Sequence, residues 1–224
     1  MLIAETFASL QGEGLLAGVP SFFIRTSGCN LRCIWCDTPY ASWQPEGELV
    51  SVDALMERTA AAGLRHVVVT GGEPLLQRDI LALTRRLADA GRHVTIETAG
   101  TVAPDVACDL LSISPKTANS DPGGGWRVRH RAARLDRGPM RTLLARHVEH
   151  QVKFVVRGSE DLDEIRLIVT DLAIAPDRVL LMPEGRTPDE VAAHGTAVAA
   201  LCLVTGYRFC PRLHVDLWGG RRGV

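Results

Sequence analysis

Three of the six cysteines in this chain lie within eight residues, at Cys29, Cys33 and Cys36. Their spacing is C-x3-C-x2-C, and no fourth cysteine or histidine lies close by in the sequence. Thiolates are the protein ligands that iron–sulfur clusters favour. Three thiolates on one loop can bind three irons of a four-iron cube and leave the fourth open to an exogenous chelating molecule. The spacing therefore predicts an iron–sulfur cluster with three protein ligands.

Zinc binding and thiol–disulfide exchange are the alternative chemistries for these cysteines. Structural zinc takes four ligands, usually from two separated C-x2–4-C pairs, and only Cys33 and Cys36 form such a pair. The remaining cysteines stand singly in apolar sequence, where a buried and unreactive thiol is usual: Cys108, Cys202 and Cys210. A thioredoxin-like C-x-x-C motif would leave Cys29 without a role. Both alternatives explain the cysteine spacing less completely than an iron–sulfur cluster does.

Three further motifs place glycine or polar residues at the ends of predicted strands: TGGEP (70–74), ETAG (97–100) and SPK (114–116). Gly71 and Gly72 allow the backbone to approach a ligand closely. Lys116 is one of only two lysines in the chain, the other being Lys153. Because barrel active sites lie at the C-terminal ends of the strands, we expect these motifs to meet in one site.

Short β-branched runs alternate along the chain with amphipathic helical stretches. The predicted strands cover 21–28, 65–72, 92–100, 109–116, 151–158 and 178–185. Helices are predicted at 51–62 and 79–90, each followed by a glycine that ends it, and Thr187, Pro188 and Glu190 form a capping box for another. Apolar parallel strands with helical crossovers predict an α/β fold. About six units fit, so we favour an incomplete (β/α) barrel forming one domain, 1–224; a doubly wound sheet is the alternative.

Residues 117–147 interrupt this alternation. The segment is polar and glycine-rich at first and then dense in arginine. We expect an irregular insertion, either mobile or forming a lid over the site, with a short helix near 139–147. Runs of like charge usually lie on a solvated surface, so an exposed basic surface is the simpler expectation.

Charge and hydropathy exclude several classes of partner. The formal net charge is -1, so electrostatics favour neither nucleic acid nor a membrane surface as the main partner. The apolar runs are far shorter than the ~20 residues that a membrane helix needs. The sequence near Met1 lacks a basic segment followed by an apolar one, so we expect no secretory signal and a cytoplasmic protein with reduced thiols.

The cysteine motif after the first barrel strand, together with TGGEP after the next, resembles the radical S-adenosylmethionine (SAM) superfamily. Within it, SLQGEG (9–14), GVPSFFIRTSGCN (18–30) and WCDT (35–38) resemble the 7-carboxy-7-deazaguanine synthase family. The resemblance covers most of 5–116, with weaker support from RVLLMPEG onward. It implies a carbon–nitrogen lyase that converts 6-carboxy-5,6,7,8-tetrahydropterin into 7-carboxy-7-deazaguanine with loss of ammonia, for queuosine-type deazapurines.

The same resemblance implies cofactors, partners and residue roles. The cofactors are a 4Fe-4S cluster on Cys29, Cys33 and Cys36, SAM, and Mg²⁺ on the Thr38 hydroxyl. Partners are the pterin, an external electron donor of flavodoxin or ferredoxin type, and a second copy in a homodimer. SAM contacts are expected at Trp35, Cys36, Asp37, Gly72, Ser114, Pro115, Lys116, Met182, Pro183, Glu184 and Gly185. Pterin contacts are expected at Leu10, Gln11, Gly12, Thr70 and Arg25, the last meeting the substrate carboxylate, with Glu13 nearby.

Two of these residues also fit a purely structural role: Arg25 as one half of an ion pair, and Thr38 as the cap of a turn. Some family members end on a proline that reaches the substrate pocket, whereas this sequence reads LHVDLWGGRRGV, so no role is predicted there. Two other functions remain open. A glycyl-radical enzyme activase would be similarly short, and a zinc- or cluster-binding regulatory module would explain the cysteines but not TGGEP or SPK.

Overall fold

Nine strands form one open sheet in the computed structural model, which describes residues 1–224. The strands are β1 Leu2–Leu10, β2 Pro20–Thr26, β3 Glu48–Leu49, β4 His66–Gly71, β5 His93–Thr98, β6 Leu110–Ile113, β7 His150–Val156, β8 Val179–Pro183 and β9 Arg208–Phe209. Their order is β3-β1-β2-β4-β5-β6-β7-β8-β9. Pairing is parallel from β2 to β9, while β1 is antiparallel to both of its neighbours.

Eight helices accompany the sheet: α1 Pro39–Ser42, α2 Val52–Ala62, α3 Ile80–Asp89, α4 Arg127–Leu135, α5 Gly138–Arg146, α6 Leu162–Asp171, α7 Pro188–Thr205 and α8 Leu213–Trp218. Helix α2 ends at Gly63 in the left-handed conformation, as its sequence predicts. The predicted capping box of α7 is present, with Thr187 and Glu190 bonding reciprocally. No helix is both long and apolar enough to cross a membrane.

The alternation of side chains along the parallel strands separates the core from the site. The side chains on one face of the strands, such as Val67 and Val69 on β4, pack against the helices in a single core cluster of 29 residues. The side chains on the other face point toward a cavity. Parallel strands β2 and β4 to β8 are consecutive in space and bury one common face, so the sheet is an incomplete barrel of six main units and not a doubly wound sheet.

All six predicted strands are present, but three strands were not predicted. Strand β1 lies near the edge of the sheet, is mostly half-buried and lacks a regular apolar pattern. Strands β3 and β9 have two residues each, too few to show periodicity.

The arginine-rich segment differs from the expectation of an irregular, solvated insertion. It contains α4 and α5, the second close to the predicted short helix. Helix α4 escaped prediction because its buried face carries His130 and Arg134 instead of apolar residues. Arg134 is buried because Asp121 and Glu164 bind its guanidinium at 2.6 and 2.7 Å. Its i and i+4 spacing from His130 places both on one side of the helix.

Candidate active site

One cavity of about 320 Å³ opens at the C-terminal ends of the parallel strands. Most of the residues that the parallel strands contribute to it lie on the face that points away from the helices. Among them are Arg25 on β2, Thr70 on β4, Glu97 on β5, Ser112 on β6, Lys153 on β7 and Met182 on β8. Parallel pairing sets Arg25 beside Thr70 and Glu97 beside Ser112, so residues far apart in sequence share one wall.

The three clustered cysteines follow β2 on a loop that lines this cavity. All three thiols are free, and no further cysteine lines the cavity. Burial raises the pKa of Cys29 to about 11 and that of Cys33 to about 12, while the Leu31 N–H opposes the first shift and the charge of Lys116 opposes both. Three free thiols on one loop, without a fourth, fit a cluster with three protein ligands. Iron would have to displace protons from Cys29 and Cys33.

The TGGEP turn packs directly against the cysteine loop. The backbone N–H of Gly72 donates to Thr26 at 3.1 Å, and that of Glu73 donates to Gly28 at 2.9 Å. A Cβ on Gly72 would lie 2.2 Å from the Gly28 carbonyl oxygen, and Gly71 has a φ of 138°. Both positions therefore require glycine.

Glu73 belongs to the framework and not to the cavity wall. Its carboxylate is fully buried and accepts hydrogen bonds from Thr98 Oγ1 at 2.7 Å and from the Ala99 and Leu75 N–H groups at 2.8 and 3.1 Å. Burial raises the pKa of Glu73, and these three donors oppose that shift. The bonds tie the end of β5 to the TGGEP turn.

Glu97 connects two of the predicted pterin-site residues. Its carboxylate accepts from Gln11 Nε2 at 3.1 Å and from Thr70 Oγ1 at 2.9 Å. Leu10 and Gly12 line the cavity beside Gln11. The four predicted residues are therefore adjacent, with a carboxylate at their centre.

Arg25 is ion-paired and also available to a ligand. Its Nε donates to Glu5 Oε1 at 2.7 Å, and Tyr40 donates its hydroxyl to the same oxygen at 2.7 Å. The two terminal nitrogens of Arg25 make no hydrogen bond within the protein. One edge of the guanidinium thus anchors the side chain, and the other edge is free to bind an anion.

A buried ionic group lies beside the pterin-site residues and was not predicted as a unit. Glu13 accepts from Lys153 Nζ and, at 3.2 Å, from Arg212 Nε; Arg212 Nη2 donates to Asp37 at 2.5 Å. Burial alone would raise the pKa of Glu13, but the charges of Lys153 and Arg212 hold it well below the usual range. His214 adds a contact to Glu13 at 3.9 Å. The only signals for this ionic group in the sequence were the rarity of lysine and the polar side chains on one face of β7.

The predicted SAM residues divide into those that reach the cavity and those that do not. The cavity wall includes Trp35, Cys36, Asp37, Gly72, Ser114, Lys116 and Met182. Lys116 Nζ donates to Ser114 Oγ at 2.7 Å and lies 5.4 Å from the centre of the Trp35 ring. Pro115, Pro183, Glu184 and Gly185 do not line it. Glu184 instead accepts from Arg157 at 3.2 Å, while the Gly185 carbonyl accepts from Arg212 and Arg186 lines the cavity.

Thr38 lies at the cavity wall directly before α1. Although it occupies the N-cap position, its side chain makes no capping bond and contacts only Cys36 Sγ, at 3.8 Å. A hydroxyl without a capping partner is free to bind a ligand. Oxygen is the donor that Mg²⁺ prefers, so this residue type fits the ion.

The segment 219–224 also lines the cavity. Arg222 holds it there, donating to Glu5 at 3.2 Å and to Glu46 at 3.0 Å, and its guanidinium lies 3.8 Å from the centre of the Tyr40 ring. No role was predicted for this segment because it departs from the proline ending of some family members, and its contact with the distant Glu5 leaves no local pattern in the sequence.

Comparison with known proteins identifies the family. The Radical SAM superfamily model matches residues 23–139. The 7-carboxy-7-deazaguanine synthase of Rhodopirellula baltica is 47% identical over all of this chain and 89% of its own length. That of Halobacterium salinarum is 46% identical over 96% of this chain and 90% of its own length. The chain belongs to the 7-carboxy-7-deazaguanine synthase family of radical SAM enzymes.

The fold of this family agrees with the structure. The crystal structure of QueE from Escherichia coli matches 95% of this chain and 94% of its own, with a TM-score of 0.69 and 26% identity. Membership confirms the predicted enzyme class, a radical SAM lyase that uses a 4Fe-4S cluster and SAM. Because relatives of this family match along the full chain, the alternative functions of an activase and a regulatory module are not supported.

Proposed function

We propose that this enzyme converts 6-carboxy-5,6,7,8-tetrahydropterin into 7-carboxy-7-deazaguanine with loss of ammonia, and that 1–224 is one radical SAM domain. The observation that carries the proposal is that the three free thiols share a cavity with the free edge of Arg25. When bound, the cluster and SAM supply the 5′-deoxyadenosyl radical that removes a hydrogen atom from the substrate. The protein itself positions the reactants and excludes water.

Arg25 would orient the pterin by its carboxylate. The free guanidinium edge offers two parallel donors, which matches a carboxylate, while Glu5 keeps the other edge engaged. Gln11 and Thr70, both bonded to Glu97, would face the ring of the substrate together with Leu10 and Gly12. A carboxylate held among donors suits the amino and N–H groups of a pterin.

SAM would occupy the part of the cavity between the cysteine loop and the end of β6. Gly72 lines this part of the cavity and lets the TGGEP turn pack against the cysteine loop, and Lys116 with Ser114 provides polar contacts. Trp35 and Met182 offer apolar surfaces on the same wall. The predicted contacts from Pro115 and 183–185 have no support from the cavity wall.

Thr38 would be a ligand to Mg²⁺. The ion would supply Lewis-acid assistance to the rearrangement and neutralise part of the substrate's charge. This role rests on the free Thr38 hydroxyl beside Cys36 and on family resemblance.

The proposal extends to partners and compartment. An external one-electron donor, a homodimer and a cytoplasmic location follow from family resemblance. The six free cysteines agree with a reducing environment.

Anaerobic turnover of the carboxytetrahydropterin with SAM, Mg²⁺ and dithionite tests the reaction, with the product identified by mass. The Cys33→Ala variant should form neither product nor 5′-deoxyadenosine and should lose the brown colour of a cluster. Cys202→Ala, at a buried thiol of α7 outside the cavity, is the matched control and should remain active. Cleavage of SAM by the unaltered enzyme without release of 7-carboxy-7-deazaguanine would refute the proposed reaction.

A further inference from the structure

The cysteine loop, residues 27–38, has little structure of its own. It contains no strand or helix, and only one backbone hydrogen bond joins two of its residues, from the Cys36 N–H to the Cys33 carbonyl at 3.3 Å. The other polar groups of its backbone must find their partners outside the loop. The parts of the protein that supply those partners therefore decide where the three thiols lie.

The arginine-rich insertion, residues 117–147, binds this loop between the cysteines. Three N–H groups of the loop donate to the insertion, each from a residue next to a cluster cysteine: Arg32 to His130 Nδ1 at 3.0 Å, Ile34 to the Ser120 carbonyl at 3.1 Å, and the Trp35 ring to Asn119 Oδ1 at 3.1 Å. The insertion, to which the proposed reaction gives no role, thus holds the loop on both sides of Cys33.

The imidazole of His130 is fully buried, and its two partners fix its tautomer. Ser120 Oγ donates its own proton to the Thr117 carbonyl at 2.6 Å, so it accepts from His130 Nε2 at 3.0 Å. Because Nε2 carries the proton, Nδ1 is free to accept from the Arg32 N–H. The neutral ring therefore links the insertion to the cysteine loop.

Ionic contacts fix the helix that carries His130. Arg134, one turn further along α4, donates to Asp121 at 2.6 Å and to Glu164 of α6 at 2.7 Å. Asp121 Oδ1 also lies 3.7 Å from His130 Nε2, but Arg131 and Arg134 already bind its carboxylate. Burial lowers the pKa of His130, against the attraction of Asp121. The imidazole is therefore neutral and held on a helix that ion pairs fasten to its neighbours.

We propose that His130 is a positioning residue for the iron–sulfur cluster, and that it acts by holding the Arg32 N–H. This role rests on the proposed function, in which Cys29, Cys33 and Cys36 bind the cluster. His130 keeps the cysteine loop in its cluster-binding conformation before iron arrives. A loop that is ordered in advance loses less conformational entropy when it binds its ligand, so it binds more tightly. The insertion is then a working part of the cluster site.

Two amide substitutions separate this role from simple packing of α4. Asparagine places its side-chain oxygen where histidine has Nδ1, so His130→Asn keeps an acceptor for the Arg32 N–H. Glutamine reaches the position of Nε2 instead, so His130→Gln keeps a partner for Ser120 but loses that acceptor. Glutamine is closer to histidine in size and is the better helix former, so packing alone predicts that His130→Gln is the milder change.

The test uses the full chain with and without its cluster. In the iron-free chains, peptide mass spectrometry measures how fast iodoacetamide alkylates Cys33. In the reconstituted holoenzymes, the loss of visible absorbance measures how fast a chelator removes iron. His130→Gln should raise both rates by roughly three- to tenfold, the effect of one buried hydrogen bond, while His130→Asn stays within about twofold of the unaltered protein. Val128→Gln, at an exposed position of the same helix, should change neither rate.

Equal rates in His130→Gln and the unaltered protein would overturn the inference, as would a larger effect of His130→Asn than of His130→Gln. If circular dichroism shows that these variants do not fold, NMR of the unaltered iron-free chain decides. A scalar coupling between the Arg32 amide nitrogen and His130 Nδ1 supports the inference, and its absence refutes it. A holoenzyme that keeps its cluster but forms no 7-carboxy-7-deazaguanine would refute the proposed reaction, whereas alkylation and iron release are read independently of turnover.

Discussion

At the scale of single residues, the cavity depends on charged side chains that hold one another in place. Glu5 binds Arg25, Tyr40 and Arg222, and Glu13 binds Lys153 and Arg212. In each group a carboxylate fixes cations that would otherwise repel one another inside the barrel. A buried ion pair adds little net stability, but removing one partner leaves an uncompensated charge.

Replacing Arg25 tests its role toward the substrate carboxylate. Arg25→Ala should raise KM for the pterin by roughly 10- to 100-fold, because a charged hydrogen-bonding group contributes about 1.5–3 kcal/mol. 5′-Deoxyadenosine should still form slowly, without coupled product. Chromatography of both products over a range of pterin concentrations measures this, with Arg85→Ala as control. An unchanged KM for the pterin would place the substrate carboxylate elsewhere.

Glu13 predicts a particular dependence of stability on pH. Its pKa is lowered in the folded protein, so its stabilising contribution is present above the unfolded value of 4.5 and is lost on acidification below it. Glu13→Gln should cost about 3–5 kcal/mol near neutral pH by leaving Lys153 and Arg212 without their partner. Urea denaturation of the two proteins should show this difference shrinking below pH 4.5. A difference independent of pH would contradict the assigned ion pair.

At the scale of elements, two turns and a helix define the cluster site. The TGGEP turn and the cysteine loop approach so closely that Gly72 has no space for a side chain. On the outer side, His130 of α4 binds the loop. The loop is therefore held by a strand-end turn inside and by the insertion outside.

Alanine should weaken SAM binding when it replaces Gly72 and stabilise the fold when it replaces Gly195. Gly72→Ala should displace the cysteine loop, because its Cβ would meet the backbone oxygens of Gly28 and Ala41 at 2.2 and 2.4 Å. SAM affinity should fall at least tenfold in equilibrium binding. Gly195→Ala, inside α7 with no atom within 4 Å of the new Cβ, should raise the free energy of unfolding by about 0.5–1 kcal/mol. Unaltered SAM affinity in Gly72→Ala would show that the turn is not part of the site.

At the scale of the whole molecule, the barrel is incomplete and other parts of the chain close it. Strand β1 extends the sheet on one side, and the segment 219–224 lines the cavity from the far end of the sequence. Arg222 bonds to Glu5 on β1 and to Glu46, and it stacks on Tyr40 of α1. These contacts join the two ends of the chain beside Arg25, a proposed substrate residue.

Arg222→Ala should release the segment 219–224 and open the cavity to solvent. Because a radical exposed to solvent components is quenched, the ratio of 5′-deoxyadenosine to 7-carboxy-7-deazaguanine should rise about twofold or more, by the ordinary role of closure in excluding side reactions. Liquid chromatography of timed anaerobic reactions measures the ratio. Arg208→Ala, at an exposed arginine of β9, should leave it unchanged. An equal ratio in all three proteins would mean that the segment does not seal the site.

Features written locally in the sequence were predictable from it. The proposed cluster ligands lie on one loop, the strands and helices repeat at their own periods, and caps such as Thr187 with Glu190 act within one turn. These local features determine a six-unit barrel and its cofactor chemistry. The proposed pterin contacts came from motif resemblance, and the structure shows that these residues line one cavity.

Only the tertiary structure decided which charges meet. Glu13 lies 140 residues from Lys153 and 199 from Arg212, and Arg222 lies 217 residues from Glu5. Such pairs form because parallel strands bring distant residues to one wall and burial then requires each charge to find a partner. Helix α4 was hidden for the same reason, since its buried face is ionic and leaves no apolar period in the sequence.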